Sequence, residues 1–181
     1  MRNPFDAILS EFQRQRSIEK YGEKSGNSHT EKLSKTEIFE IQEKWEKFAT
    51  NMARHWFNLV KGWVADYDRG QVKIVCYEKL VKNPKTEINS VLEFLDLNSD
   101  KMAERAHCLN TEIEGKFHRK KEFTSYEVYN DKMMKTVVDY VRKARKILED
   151  KNQVDCFDGF EIPDEIMKKF EDEESKIKMN H

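Results

Sequence analysis

The chain has 181 residues, of which 37% are charged and 38% hydrophobic, and its 33 basic and 34 acidic residues leave a formal net charge of −1. This length fits one domain with a sizeable core. The balanced charge argues against a general nucleic-acid-binding surface, which needs an excess of positive charge. The sequence contains no targeting segment and no apolar run long enough to span a membrane.

The first segment, residues 1–17, has the pattern of a strand that ends and turns directly into a helix. Asn3 is a good helix cap, and Pro4 suits the first helical position. Ser10 lies two turns after Asn3, on the same side of the helix. With Arg2 just before the cap, an arginine and a hydroxyl could bind one phosphate beside the free N–H groups of the helix start. On local features alone, an ordinary capped helix with a solvated arginine is the simpler interpretation.

The next segments are predicted to be a loop and a long helix. Residues 21–35 are polar and contain two glycines, which indicates a surface loop that is either a lid or a plain connection. Apolar residues then recur at steps of three and four, which predicts one helix over residues 36–67 with Thr36 as its cap. The predicted core stripe of this helix is Ile38, Ile41, Trp45, Phe48, Met52, Trp56, Leu59 and Trp63.

A short β-branched run follows the long helix. Residues 72–78 have the composition of an interior strand in a parallel sheet. Residues 80–83 are predicted to form a loop, and Asn83 and Pro84 to begin another helix that ends near residues 96–98. The order helix, strand, helix is typical of an α/β layer fold rather than a bundle. The inner face of the second helix is predicted to carry Ile88, Val91, Leu92 and Leu95.

The second half of the chain contains a basic cluster. After a predicted short helix over residues 99–110, Gly115 breaks the chain and basic residues follow, namely Lys116, Arg119, Lys120 and Lys121. Such a cluster is either a solvated loop or a phosphate-binding segment that closes over a nucleotide.

A long helix is predicted to follow the basic cluster, over residues 125–151. Beyond it, Phe157, Phe160 and Pro163 are expected to dock on the domain, and residues 171–181 to fray. One side of the long helix is predicted to carry Met134, Val137, Val138, Val141, Arg145 and Leu148.

The three cysteines are Cys76, Cys108 and Cys156, with no Cys-x-x-Cys pair, so neither a zinc site nor a redox motif is indicated. Cys76 lies in the predicted strand and is expected to be a buried core thiol. Cys108 and Cys156 could pair in an oxidising compartment, which the sequence alone does not decide.

Two of these segments resemble cofactor-binding segments of the sulfotransferases that use 3′-phosphoadenosine 5′-phosphosulfate (PAPS). Arg2-Asn-Pro-Phe-Asp-Ala-Ile-Leu-Ser10 is similar to the family's 3′-phosphate motif, which implies that Arg2 and Ser10 hold that phosphate. Residues 74–80, followed by Asn-Pro and a helix, resemble the family's Tyr-Glu-Asp-Leu segment. This resemblance implies that Tyr77 reaches the adenine, although Lys79 stands where an acidic residue is usual.

A third segment, Phe117-His-Arg-Lys120, resembles the family's Phe-x-Arg-Lys segment. The resemblance implies that Arg119 and Lys120 contact the same 3′-phosphate. Lys121 stands where a glycine often follows in the family, so the backbone there could approach the phosphate differently.

The resemblance implies an α/β fold: a partial P-loop-type, sulfotransferase-like, three-layer fold that is helix-rich and lacks the N-terminal half of its sheet. We expect residues 1–150 to be the C-terminal part of a sulfotransferase domain and residues 151–181 a C-terminal extension, partly disordered. The run from Arg2 to Arg14 is most similar to the WSC-domain sialate O-sulfotransferases. That similarity implies a glycan acceptor and a place on the lumenal side of the Golgi membrane.

The chemistry that the resemblance implies is transfer of a sulfuryl group from PAPS to an acceptor hydroxyl, without a metal ion. In the family, the phosphate-loop lysine and the catalytic base lie upstream of the segments matched here. The sequence has no glycine-rich phosphate loop, so it indicates no catalytic residue. We interpret the chain as partial, and expect it to bind adenosine 3′,5′-bisphosphate weakly or not at all and to transfer no sulfate.

Two alternatives come from other classes of protein. One is another P-loop-type nucleotide enzyme, such as a kinase, which would need magnesium. The other is a non-catalytic helical interaction domain that uses the Trp-rich helix and the basic cluster.

Overall fold

A computed structural model describes residues 1–22, 32–67, 70–97, 122–151, 154–160 and 162–170. Helices dominate this part of the chain, as the sequence predicts. The predicted helix over residues 99–110 and the tail over residues 171–181 lie outside the described residues. The elements are α1 (Pro4–Tyr21), α2 (Lys35–Glu40), α3 (Gln42–Ala65), α4 (Tyr77–Lys82), α5 (Pro84–Phe94), a first 3-10 helix (Ser125–Val128), α6 (Asp131–Asp150), a second 3-10 helix (Val154–Gly159) and α7 (Asp164–Lys169).

Helix α1 begins as its sequence predicts. The Asn3 side chain accepts a hydrogen bond from the Phe5 N–H at 3.0 Å, and Pro4 occupies the first helical position. The helix ends at Gly22, whose φ of 78° is a conformation that side chains with a Cβ rarely adopt.

The single helix predicted over residues 36–67 is two helices. Ser34, not Thr36, is the cap: its hydroxyl accepts from the Glu37 N–H at 3.3 Å, and the Glu37 carboxylate accepts from the Ser34 N–H at 2.8 Å. Ile41, with φ of −115°, then interrupts the helical backbone before α3 begins.

The predicted core stripe is correct at its N-terminal end and wrong at its C-terminal end. Leu59 and Trp63 are 63% and 59% exposed, so they are surface residues of α3. Phe48, Met52 and Trp56 are partly buried against the core. The buried residues of α2 and α3 are Ile38, Trp45, Ala49, Ala53, Val60 and Val64.

An aromatic cluster joins α1, α3 and the segment before α6. Trp45 lies 4.9 Å from Phe12 and 5.0 Å from Tyr129, measured between ring centroids. The Trp45 indole N–H donates to the Val128 carbonyl at 2.7 Å, and the Tyr129 hydroxyl donates to the Phe5 carbonyl at 2.9 Å. Both polar groups of these buried aromatic rings are therefore satisfied, as buried donors must be.

The predicted strand over residues 72–78 is wrong at its C-terminal end. Cys76 is extended, with φ of −89° and ψ of 115°, but Tyr77 already begins α4, so residues 80–82 are helical rather than a loop. No regular strand occurs among the described residues.

One pair of hydrogen bonds nevertheless has the arrangement of parallel strands. The Met1 amino group donates to the Val75 carbonyl, and the Tyr77 N–H donates to the Met1 carbonyl at 2.7 Å. These two hydrogen bonds alone do not make a sheet, so the partial sheet stays a prediction.

Helix α6 begins at Asp131, later than predicted, because Asn130 caps it by accepting from the Met133 N–H at 2.9 Å. Met134 is only partly buried, and Arg145 is exposed. The buried residues of α6 are Met133, Val137, Val138, Val141, Ala144 and Leu148.

The segment after α6 packs on the same core. Phe157 and Phe160 are buried there, which confirms that they dock, while Pro163 is half-buried. The domain boundary at residue 150 stays a prediction.

The cysteines differ from the expectation. Cys76 is buried but is not a free thiol, because it forms a disulfide with Cys156. Cys108 lies outside the described residues. With Cys156 already bonded to Cys76, the suggested pairing of Cys108 with Cys156 is wrong.

Candidate functional site

Three of the predicted site residues line one cavity. Arg2, Ser10 and Tyr77 lie around a space of about 480 Å³. Arg2 lies just before the Asn3 cap of α1, Ser10 lies in the second turn of α1, and Tyr77 begins α4. The two other predicted site residues, Arg119 and Lys120, lie outside the described residues.

The backbone on each side of Arg2 is fixed by hydrogen bonds. The Trp56 indole N–H donates to the Arg2 carbonyl at 3.2 Å, and the Asn3 N–H donates to a Glu78 carboxylate oxygen at 2.7 Å. The Met1 carbonyl accepts from the Tyr77 N–H at 2.7 Å. The backbone that carries the Arg2 side chain is therefore fixed by hydrogen bonds from α3 and α4.

The guanidinium of Arg2 lies over the ring of Tyr77, with its carbon 4.6 Å from the ring centroid. This is a cation–π contact, which orients the guanidinium plane. Within the part of the chain that the structure describes, the buried Nε atom of Arg2 has no hydrogen-bond partner. A buried donor without a partner is costly, so an acceptor at this point would stabilise the protein.

The described lining of this cavity is balanced in charge. Arg2 and Lys32 are basic, and Asp6 and Glu122 are acidic. These four residues alone would not concentrate an anion strongly. Additional basic groups near Glu122 would be needed to give the cavity a positive potential.

A second cavity, of about 980 Å³, adjoins the first and shares Asp6, Glu122, Phe123 and Ser125 with it. Glu78 lines the second cavity, and among the described residues its Oε2 atom is buried without a hydrogen-bond partner. Its other oxygen is the one that accepts from Asn3.

The wall shared by the two cavities includes the first 3-10 helix, and Glu127 holds its start. The Glu127 carboxylate accepts from Lys35 at 2.8 Å and from the Thr124 N–H at 2.8 Å. These hydrogen bonds, that of Lys35 above all, lower the pKa of Glu127 to about 2.

Two residues that hold the site were not predicted from the sequence. Glu78 follows Tyr77 within the segment that carries the resemblance, so its place there was a usable signal. Trp56 belongs to the predicted core stripe, and nothing in its spacing indicates that its indole N–H donates to the carbonyl of Arg2.

Among the described residues, no helix combines the length and the apolar character that a membrane crossing requires.

A family model for the sulfotransferase domain matches residues 1–170. WSCD family member GA21586 of Drosophila pseudoobscura pseudoobscura is 29% identical over 133 residues, which are 74% of this chain and 38% of that protein. WSCD family member CG9164 of Drosophila melanogaster has the same identity and coverage. Sulfotransferase 1C2 of Rattus norvegicus is 37% identical over 59 residues, which are 33% of this chain and 20% of that protein.

The chain thus spans 38% of the length of the two Drosophila relatives. No solved structure gives a significant match.

Proposed function

The chain belongs to the sulfotransferase domain family, and on that premise we propose that the cavity at Arg2, Ser10 and Tyr77 binds the 3′-phosphate and adenine side of PAPS. The family match confirms the family predicted from the sequence and favours sulfuryl transfer over the kinase-like alternative. The whole protein would transfer a sulfuryl group from PAPS to a hydroxyl acceptor.

The observation that supports this proposal best is the state of Arg2. Its guanidinium lies over the Tyr77 ring, and among the described residues its buried Nε lacks an acceptor. A phosphate provides several charged acceptor oxygens, which suit a guanidinium better than any neutral group does. Ser10 lines the same cavity and adds a hydroxyl donor.

Tyr77 suits the adenine side of the same ligand. Its side chain is 43% exposed, so part of the ring is open to a planar partner while Arg2 covers another part. An aromatic side chain stacks on a base at a cost of little conformational entropy, because it has only two rotatable bonds.

Arg119 and Lys120 would supply the positive charge that the described lining lacks. Arg119 precedes Glu122 by three residues, so the chain keeps their Cα atoms within about 11 Å of each other. Since Glu122 lines the cavity, the length of the intervening chain allows both basic residues to reach a phosphate bound there. This supports their assignment to the site.

In this proposal the described residues bind and orient the nucleotide and perform no step of the transfer. Arg2 and Ser10 fix the 3′-phosphate, and Tyr77 fixes the base, so that the sulfuryl group is held at a set distance from the acceptor. The acceptor that we propose is a glycan hydroxyl.

We also propose that the protein works on the lumenal side of the Golgi membrane. The disulfide between Cys76 and Cys156 supports this place, because disulfides persist in oxidising compartments and are rare in the cytosol.

The test is a titration of adenosine 3′,5′-bisphosphate followed by ligand-observed NMR. We expect a Kd on the order of 1 mM for this chain, because a few charged hydrogen bonds barely exceed the cost of association. Adenosine 5′-monophosphate, which lacks the 3′-phosphate, should bind about tenfold more weakly.

Two matched arginine variants, one just before α1 and one within it, show whether the preference for the 3′-phosphate depends on Arg2. Arg2→Ala should abolish the preference for the 3′-phosphate, whereas Arg14→Ala should preserve it, because Arg14 is exposed and pairs with Glu11 at 2.6 Å. Equal binding of the two nucleotides by the unchanged protein would contradict the proposal and favour a non-catalytic interaction domain.

A further inference from the structure

The disulfide between Cys76 and Cys156 lies directly beside the proposed nucleotide site. Cys76 precedes Tyr77 and occupies the N-cap position of α4. Cys156 belongs to the second 3-10 helix, so the disulfide joins residues that are 80 positions apart. The start of α4, and with it Tyr77, is therefore covalently tied to the C-terminal segment.

The C-terminal segment also packs against the residues that follow Tyr77. Gly159 lies so close to α4 that a Cβ atom placed on it would be 3.6 Å from the Glu78 Cβ and 3.9 Å from the Lys79 Cγ. Glu78 is the residue whose carboxylate holds the Asn3 N–H, next to Arg2. Segment 154–160 thus supports α4 on the side that orients the site.

A second contact leads from this segment to Arg2 through α3. The ring of Phe160 lies 6.3 Å from that of Trp56, whose indole N–H donates to the Arg2 carbonyl. Both partners of the cation–π pair, Arg2 and Tyr77, therefore depend on a segment that the disulfide fastens.

Burial of apolar side chains contributes little to holding α4 in place. Helix α4 lies entirely in the described part of the chain and has no buried residue, so little apolar surface holds it in place. Cys76, which is 4% exposed, is the buried residue at the start of this helix.

We propose that the Cys76–Cys156 disulfide makes nucleotide binding at Arg2 and Tyr77 dependent on redox state: the oxidised protein binds, and the reduced protein binds about tenfold more weakly or not at all. This inference rests on the proposed function. Reduction frees segment 154–160 from Cys76 and so removes one of the ties that hold Tyr77 beneath Arg2, leaving the Met1 and Glu78 hydrogen bonds.

The reductant is a dithiol. Its first thiolate attacks one sulfur of the disulfide and forms a mixed disulfide, and its second thiolate closes on that bond and releases the protein. One protein S–S bond breaks, two protein thiols form, and the dithiol becomes a cyclic disulfide after giving up two electrons and two protons.

Binding and reduction are then linked in both directions. If reduction weakens nucleotide binding tenfold, saturating nucleotide must favour the disulfide over the dithiol by the same factor. For a two-electron couple, a factor of ten corresponds to a midpoint potential that is lower by about 30 mV.

The experiment uses the full chain with Cys108→Ser, so that no third thiol exchanges with the pair. Adenosine 3′,5′-bisphosphate is titrated by ligand-observed NMR into the oxidised protein, the protein reduced with dithiothreitol, and the Cys76→Ser/Cys156→Ser variant. Circular dichroism records whether each form is folded. Redox titration with alkylation and mass spectrometry then gives the midpoint potential with and without the nucleotide.

We expect about tenfold weaker binding by the reduced protein and by the Cys76→Ser/Cys156→Ser variant than by the oxidised protein. The midpoint potential of the disulfide should be about 30 mV lower when the nucleotide is present. Equal affinity of the folded oxidised and reduced forms would overturn the redox proposal and leave the proposed function standing. Global unfolding on reduction would also overturn it, because the disulfide would then serve the fold rather than this site. Absence of binding by the oxidised protein would overturn both proposals.

Discussion

The two helices that supply the proposed site, α1 and α4, are held in different ways. Helix α1 buries Phe5, Ile8, Leu9 and Phe12 in the aromatic core. Helix α4, described over its whole length, buries no residue. It is fixed instead by the backbone bond from Tyr77 to Met1, by the Glu78 carboxylate and by the disulfide at Cys76.

This difference separates the stability of the fold from the geometry of the site. Apolar burial is the larger stabilising contribution, and it is concentrated around α1, α3 and α6. The position of Tyr77 relative to Arg2 rests on a few directional ties. Changes in the core should therefore act on unfolding, whereas changes at α4 should act on ligand binding.

The largest effect is expected from Trp45→Ala. Trp45 is fully buried against Phe12 and Tyr129, so its loss should lower the free energy of unfolding by about 3–5 kcal/mol. The matched change on α4, Val81→Ala at a side chain that is 62% exposed, should cost no more than about 0.5 kcal/mol. Denaturation in urea measures both, and similar losses would show that α4 is part of the cooperative core.

The next effect is expected from Glu78→Ala. The Asn3 N–H would lose its acceptor in a buried position, which should lower the free energy of unfolding by about 1–3 kcal/mol. Nucleotide binding should weaken as well, because Asn3 follows Arg2 directly.

Glu78→Gln is the control, since an amide oxygen can accept from the same N–H. It should restore binding in the NMR titration. If the alanine variant binds as the unchanged protein does, Glu78 does not position Arg2.

The sequence predicted the long, strongly periodic parts of this fold well. Val137, Val138, Val141 and Leu148 are buried on α6 as their spacing predicts, because tertiary packing and local period agree there. Ser34 and Glu37 form the S-x-x-E pattern of a capping box, so the sequence does contain the signal for the cap at Ser34, and the prediction of Thr36 as the cap is wrong.

Other features depend on contacts that are distant in the sequence. Three cysteines allow three pairings, and nothing in their spacing distinguishes Cys76–Cys156 from the others. Periodicity placed Leu59 and Trp63 in the core, but it does not indicate which part of a long stripe meets a neighbouring element.

The residues of the proposed site could be predicted only where they belong to a sequence motif. Arg2, Ser10 and Tyr77 were named from the resemblance, and the structure brings all three to one cavity. Glu78 lies in the Tyr-Glu segment of the resemblance, but its bond to the Asn3 N–H is not part of that motif, and Trp56 acts through the Arg2 carbonyl without any motif.

A smaller effect is expected from Tyr77→Ala. Tyr77 is 43% exposed, so its truncation should change the free energy of unfolding by no more than about 0.5 kcal/mol. The loss of the cation–π contact should weaken nucleotide binding by about 0.5–1 kcal/mol. NMR titration beside urea denaturation checks both values, and Tyr77→Phe should bind almost as the unchanged protein does. A drop in stability as large as that of Trp45→Ala would remove the distinction between the two regions.

The smallest effect is expected from acid, at Glu127 in the first 3-10 helix, which connects the core to the cavity. Val128 of this helix accepts from Trp45, and Ser125 lines the cavity. Because the pKa of Glu127 is lowered from 4.5 to about 2 by hydrogen bonds from Lys35 and Thr124, its contribution is present above pH 4.5 and is lost as the pH falls towards 2.

Glu127→Gln should therefore reduce the fall in Tm between about pH 4.5 and pH 2 by about 1–2 °C. The effect is small because the carboxylate is exposed and screened. Glu37→Gln is the matched control: hydrogen bonds from Ser34 lower the pKa of Glu37 too, but this carboxylate caps α2 and not the first 3-10 helix. Both variants should reduce the slope of Tm against pH in acid, whereas only Glu127→Gln should alter nucleotide binding at neutral pH. Equal binding by the two variants would show that the cavity wall does not depend on this cap, and would leave the disulfide and Glu78 as the ties that set the site.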